Sequence, residues 1–244
     1  MDTEAENLAE RDRSSVPRGR AERSRSVVRT WWRGLGLWQE VALLAVACLA
    51  VLCLVNALLA QPFVIPSGSM ENTLKIGDRV LVDKLAYRFG NQPQRGDVIV
   101  FEGTGSFLQD APPENPVDRS IGVVGRLVGL APPDQTDFIK RVVGVGGDRV
   151  TCCDKQGRIT VNGRPVGERR YLYPGDAPSQ VRFDVMVPQG KLWVMGDHRS
   201  DSSDSRDHLG DPGGGTVPVD AVIGRADWII WPFGRAGSLG GAHG

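Results

Sequence analysis

One stretch limits what this chain can become. VALLAVACLAVLCLVNALLA, Val41 to Ala60, holds Asn56 as its only strongly polar residue. Its length matches the ~20 apolar residues that a helix needs to cross a bilayer's hydrocarbon core. Trp31, Trp32 and Trp38 precede it, where aromatic side chains anchor a span at the headgroup level. Arg23, Arg25, Arg29 and Arg33 also lie before it, whereas the first basic residue after it is Lys75. The positive-inside bias then puts the N-terminus in the cytoplasm and everything after Ala60 outside. A cleaved secretory leader is one rival, since Ala57 and Ala60 mimic the small residues of a cleavage site. The run is longer than a leader's apolar core, however, and follows a long N-terminal segment. A buried core helix is the other rival, and the lack of a polar face argues against it. A retained single-pass anchor at 41–60 is favoured; the best later run, Trp228 to Phe233, is too short to cross again.

The segment before the span, 1–40, mixes Arg11, Arg13, Arg18 and Arg20 with Glu4, Glu6 and Glu10 and has few apolar residues before Trp31. It cannot bury a core, so a disordered, basic cytoplasmic segment is expected. After the span, short β-like runs alternate with turns: RVLVDKLAY (Arg79–Tyr87), GDVIVFE (Gly96–Glu102), FIKRVVGV (Phe138–Val145) and KLWVMGD (Lys191–Asp197). Asn162-Gly163, between RITV and RPV, predicts a two-residue hairpin. Glycine (31) and proline (16) exceed average usage, which suits a turn-rich β body better than a helical bundle. Residues 61–234 are therefore expected to form one β-rich domain outside the membrane, with 235–244 a flexible tail. A Gly/Pro-rich insertion fills 103–137; its apolar stretch Ile121–Ala131 is expected to touch the membrane surface. Formal charge balances to zero, which gives nucleic acid no electrostatic hold.

Four cysteines are present. Cys48 and Cys53 sit inside the apolar run, where a thiol acts as a small hydrophobe. Cys152 and Cys153 are adjacent, and neighbours in sequence rarely bridge each other. Two half-buried thiols are the favoured reading, with a vicinal disulfide as the alternative on an oxidising side of the membrane. Neither pair has zinc-ligand spacing.

Three segments offer chemistry. In PSGSM, just beyond the span, Ser67 and Ser69 flank a glycine on a tight turn that a substrate backbone can approach. A serine needs an adjacent base to act as nucleophile. Lys140 lies in an apolar strand pattern beside Arg141; burial and that neighbouring charge both favour its neutral amine, as a base requires. A solvent-facing lysine at a sheet edge is the plain alternative. The third segment, GDHRSDSSDSR (Gly196–Arg206), brings Asp197, Asp201 and Asp204 close together, but without the glycine turn and closing glutamate of a calcium loop. A polar loop that orients the lysine is the better reading, and no metal or other cofactor is expected.

PSGSM (Pro66–Met70), GDRVLVDK (Gly77–Lys84), RGDVIVF (Arg95–Phe101), FIKRVVGVGGD (Phe138–Asp148), GDHRSDSSDSR and VPVDAVIGRA (Val217–Ala226) follow one another in the order of the boxes of bacterial type I signal peptidases. The chain resembles that family over most of Gln61 to Phe233. The resemblance implies a mainly β, antiparallel catalytic domain behind one transmembrane helix. It implies a Ser-Lys dyad serine protease that removes signal peptides from exported preproteins after Ala-x-Ala, working as a monomer at the bilayer. At matching positions, Ser69 is the nucleophile and Lys140 the general base. Ser67 and the Ser69 backbone form the oxyanion hole. Ser202 holds the lysine amine, and Asp204 and Arg206 form a supporting ion pair near Arg141. Phe63, Ile65, Pro66, Met70, Leu74, Asp137, Phe138 and Ile139 are the substrate-binding positions, lining shallow pockets for small side chains.

Two residues depart from the family pattern. Asn72 stands where many members have proline, and His198 where asparagine is common. Histidine serves as base in the related endomembrane signal peptidases, but there it replaces the lysine, which this chain retains. The DPGGG after His208 reads as a loop extension. Rival functions are a specialised relative processing one conjugation or pilus substrate, and an inactive membrane-anchored binding module. A penicillin-binding Ser-Lys enzyme lacks support, because neither Ser-x-x-Lys nor Lys-Thr-Gly accompanies the serine.

Overall fold

The computed structural model describes residues 36–108 and 136–239. The basic N-terminal segment up to residue 35 and most of the insertion, including Ile121–Ala131, lie outside the described residues.

The apolar run forms helix α1, Leu37–Leu58, which starts four residues before the expected span and stops two short of its end. Its 22 residues rise roughly 33 Å at 1.5 Å each, enough to cross a bilayer. Leu44, Val46, Leu49, Val51, Leu52 and Leu54 are all exposed, an arrangement that water does not tolerate but lipid does. Strand β1 (Ala60–Val64) follows with a single residue between. It is an edge strand, which lets it hold Pro62 without losing a ladder bond on a second side.

From β1 onward the chain builds two antiparallel sheets. The large one joins β1, β2 (Arg79–Asp83), β11 (Val222–Trp231), β3 (Val98–Glu102), β4 (Asp137–Val145), β9 (Lys191–Met195) and β10 (Val217–Pro218) in that order, with β12 (Gly237–Ser238) also paired to β11. Period-2 alternation explains how both faces are buried. Along β3, Val98 and Val100 enter one core with Phe63, Met70, Leu74, Val80 and Val82. Ile99 and Phe101 enter another with Phe107, Val142 and Val194. The small sheet orders β7 (Arg164–Pro165), β6 (Ile159–Val161), β5 (Arg149–Cys152) and β8 (Phe183–Met186). Trp193 of β9 packs on Phe183 of β8 with ring centroids 5.2 Å apart, so the two sheets share a core. Asn162 and Gly163 make the expected hairpin turn, with φ of 53° and 76° as a type I′ turn demands.

Three expectations fail. The strand at Arg79 stops at Asp83 instead of reaching Tyr87, because the Asp83 carboxylate accepts the Leu85 N–H (2.8 Å) and starts a turn. The tail is not wholly loose: β12 pairs Trp228 with Ser238, Arg235 reaches Asp78 (2.9 Å), and Leu239 packs against the first core. Cys152 and Cys153 are joined in a disulfide, where two thiols were expected; their peptide bond is cis and their Cα atoms are 3.0 Å apart. Cys48 and Cys53 are free, as expected.

Candidate active site

β1 carries the chain from the end of α1 to Ile65, after which a one-turn 3-10 helix, Gly68–Met70, turns Ser69 inward. Met70 and Leu74 behind it are fully buried, and they pin this turn to the first core. Lys140 comes from β4, which β3 and β9 flank on its two sides. Its Nζ lies 2.7 Å from Ser69 Oγ, and both residues are buried. Burial lowers the amine from lysine's ordinary 10.5 to about 8. Arg206 pushes the same way, while Asp204, Asp197 and Asp201 resist it. A neutral amine within hydrogen-bond reach of a hydroxyl can accept its proton. Ser67 Oγ lies 3.3 Å from Ser69 Oγ and, unlike it, belongs to an exposed residue.

The acidic box meets arginines around this pair. Asp204, fully buried, accepts the Gly196 N–H (3.0 Å), the Ser202 hydroxyl (2.9 Å) and the Arg206 guanidinium (2.8 Å from both Nε and Nη2). Burial pushes its carboxyl up, but these donors outweigh that and hold it below the usual carboxylate range. The Ser202 hydroxyl donates to Asp204; the hydrogen bond to the Lys140 amine that was expected is not present among the described residues, where Lys140 Nζ meets Ser69 Oγ. Asp204–Arg206 matches the expected pair, but Arg141 does not join it. Arg141 meets Asp197 instead, through Nε (2.8 Å) and Nη2 (2.7 Å), donates to the Gly96 carbonyl (2.7 Å) and lies 4.2 Å from the Tyr171 ring centre. Thr73, four residues past Ser69, also hydrogen-bonds Asp197. This ties the serine turn to the lysine strand. Arg199, joined to Glu168 at 2.5 Å, donates to the Gly196 carbonyl (2.7 Å).

Sequence reasoning missed Gly196. A Cβ there would collide with the Ser202 hydroxyl and the Ser69 carbonyl, so only glycine lets the two segments meet. Its place at the head of the acidic box was visible, but nothing in the box said what would approach it. His198 is also settled as to contacts: its N–H donates to the Ser69 carbonyl (3.1 Å) and its ring stacks on Tyr173 at 3.8 Å. The imidazole makes no hydrogen bond to the Ser69 hydroxyl.

Of the expected substrate positions, Phe63, Ile65, Met70, Leu74 and Ile139 come together in the first core, each under a tenth exposed, while Pro66 sits exposed beside Ser67. Phe138 is separated from them. Strand alternation turns it to the third core, where its ring packs on Phe101 (5.8 Å) and Phe107 (5.5 Å). Asp137 acts on Lys84, outside the Ser69 site.

Fold and site together are those of a serine hydrolase tethered by an apolar helix. The family model described as "Signal peptidase, peptidase S26" matches residues 38–231. A probable signal peptidase I of Mycobacterium leprae is 42% identical over 236 residues, covering 85% of this chain and 80% of that protein. A signal peptidase I of Mycobacterium tuberculosis is 42% identical over 221 residues, covering 82% and 74%. A solved signal peptidase I from Enterococcus faecalis V583 aligns at 23% identity with a TM-score of 0.33, over 55% of this chain and 96% of that one. The chain belongs to the signal peptidase family, peptidase S26, and is a serine endopeptidase of the signal peptidase I type.

Proposed function

We propose that this signal peptidase cleaves exported preproteins after Ala-x-Ala by acyl transfer, with Ser69 as nucleophile and Lys140 as general base. The observation that carries the reading is the 2.7 Å approach of a buried lysine amine to a buried serine hydroxyl. Lys140 takes the Ser69 proton as Oγ attacks the carbonyl carbon of the residue that ends the signal peptide. Ser67 Oγ–H and the Ser69 N–H donate to the oxyanion that forms. Lys140 then gives its proton to the departing amine as the C–N bond breaks. A water enters, loses a proton to Lys140 and attacks the ester; when the Oγ–C bond breaks, the proton returns to Ser69.

Asp197 with Arg141, and Asp204 with Arg206, keep the two reacting groups in register and are positioning pairs. Small side chains before the cut suit close-packed Phe63, Ile65, Met70, Leu74 and Ile139, which leave little depth. The helix holds the enzyme, N-terminus inside and β body outside, where preproteins tethered by their own apolar segments arrive. Confinement to that surface raises effective concentration without further contacts. The test is cleavage of a preprotein ending in Ala-x-Ala by the full chain in detergent. Wild type should cut after the second alanine, and Ser69→Ala and Lys140→Ala should each lose activity by about 10⁴-fold or more. Equal cleavage by all three would end the reading.

A further inference from the structure

A cleft of about 620 Å³ opens beside the turn that follows β2, and none of its walls belongs to the Ser69 site. Lys84, Tyr87, Arg88 and Gln92 come from that turn, Lys191 from the start of β9 and Asp220 from the turn before β11. Three cations thus face one carboxylate. Asp137, which is off the walls, offsets part of the Lys84 charge, yet burial and then Arg88 keep the Lys84 amine below its ordinary value. Arg88 and Lys191 make no ion pair among the described residues. Counted on the walls, positive charge exceeds negative, and a bound anion would offset the excess.

Two further observations say where the cleft sits. The Lys84 N–H donates to the carbonyl of Leu59 (2.9 Å), the residue directly after α1, and Asp83 pairs with Ala60. The cleft therefore begins one hydrogen bond from the end of the membrane span. Phe89, next to Arg88, is 91% exposed at a φ of 60° with Gly90 after it, so the turn presents an aromatic ring outward instead of packing it. Aromatic side chains beside basic ones are what a bilayer interface accommodates.

We propose that this cleft binds the phosphate of an anionic glycerophospholipid headgroup in the leaflet on the side of the catalytic body. The arginine fork suits two phosphate oxygens, and the lysines add point charges. Gln92 offers amide groups to the hydroxyls of a glycerol headgroup. The volume exceeds what a lone ion needs and falls in the range of small-molecule sites. Such a lipid would hold the β body at a second point beside its anchor. The inference rests on the reading that α1 spans a bilayer.

The test uses the full chain in phosphatidylcholine vesicles that carry a trace of photoactivatable phosphatidylglycerol, or of phosphatidylcholine with the same tails. Adducts on peptides containing Arg88 or Lys191 should form several-fold more with the phosphatidylglycerol probe. Unlabelled phosphatidylglycerol in the vesicle should compete them away. Arg88→Gln with Lys191→Gln should lower them by about tenfold or more, since the pair of substitutions removes two charge-assisted contacts to the phosphate. Cleavage of a short soluble substrate by the double variant should stay at the wild-type rate, which shows that the fold is intact. Equal labelling by the two probes, or labelling unchanged in the double variant, would overturn the proposal while leaving the anchor standing. Full competition by millimolar glycerol phosphate would point to a free phosphate ester and overturn the lipid source. A chain that fails to float with either vesicle would sink the anchor reading itself, and this proposal with it.

Discussion

The two sheets share a core yet handle charge in opposite ways. The large sheet and the loop that leaves its strand β9 bury Lys140, Arg141, Asp197, Asp204 and Arg206, each under a tenth exposed. The small sheet buries Val150, Ile159, Val161 and Phe183, and leaves its own ion pair, Arg149 with Asp184, more than half exposed. Buried charges cost several kcal/mol each to strip of water, and pairing repays this only with good geometry. Apolar burial carries no such liability. A protein gains nothing in stability by preferring the first arrangement; Asp148 and the Glu168–Arg199 pair are buried too, but only beside Ser69 does a buried charge meet a nucleophile's hydroxyl. The small sheet supplies cohesion.

Four experiments bear on that division, the strongest first. Arg141→Met leaves Asp197 buried without its partner; about 3–5 kcal/mol of stability should go, by urea denaturation, and cleavage with it. If stability falls but the surviving folded enzyme cuts at the wild-type rate, the Arg141–Asp197 pair is structural only. Ser67→Ala removes one oxyanion donor, so kcat should fall about 10²–10³-fold with KM little changed. A loss confined to KM would assign Ser67 to binding.

The pH profile is the third. Lys140 must be neutral to act, and burial sets its value at about 8. The rate should therefore rise about tenfold per pH unit up to that value and level off above it. His198→Asn should leave this limb in place; a limb that vanishes in the variant would transfer the base role to histidine. Smallest in chemical effect is Ile159→Ala in the small sheet. It should cost about 2–5 kcal/mol of stability and leave kcat/KM unchanged at low temperature, whereas Arg149→Ala should change neither. A large activity loss from Ile159→Ala would erase the distinction between the sheets.

Side-chain period and turn chemistry made much of this fold legible in advance. β3 and β9 fall within the runs read as strands, β4 exceeds its run by Asp137 alone, and Asn162-Gly163 announced its hairpin, because both signals are local. β12 was illegible for the same reason: Gly237 and Ser238 pair through backbone alone and show no pattern. At the site, Ser69, Lys140 and the Asp204–Arg206 pair were read from ordered boxes. Which arginine meets which aspartate was not readable for Arg141. Asp197, Asp201 and Asp204 are closely spaced candidates until β4 and β9 are paired side by side, with Arg141 opposite Met195. Nor does a glycine's identity reveal what crowds it, as Gly196 does between Ser69 and Ser202.

The directness of the path from α1 to Ser69 has one more consequence. Only ten peptide units separate Leu59 from the serine, and half of the path is the straight strand β1. Even fully drawn out, that path spans no more than roughly 35 Å. On the proposed reading the chain is a tape measure fixed at the bilayer: Ser69 can stand no farther from the end of α1 than that length. On that reading, a preprotein whose cut site is held rigidly farther from its own apolar segment should be cut more slowly, whatever its alanines. Lengthening β1 by a pair of residues would keep every side chain on its proper face and move the mark.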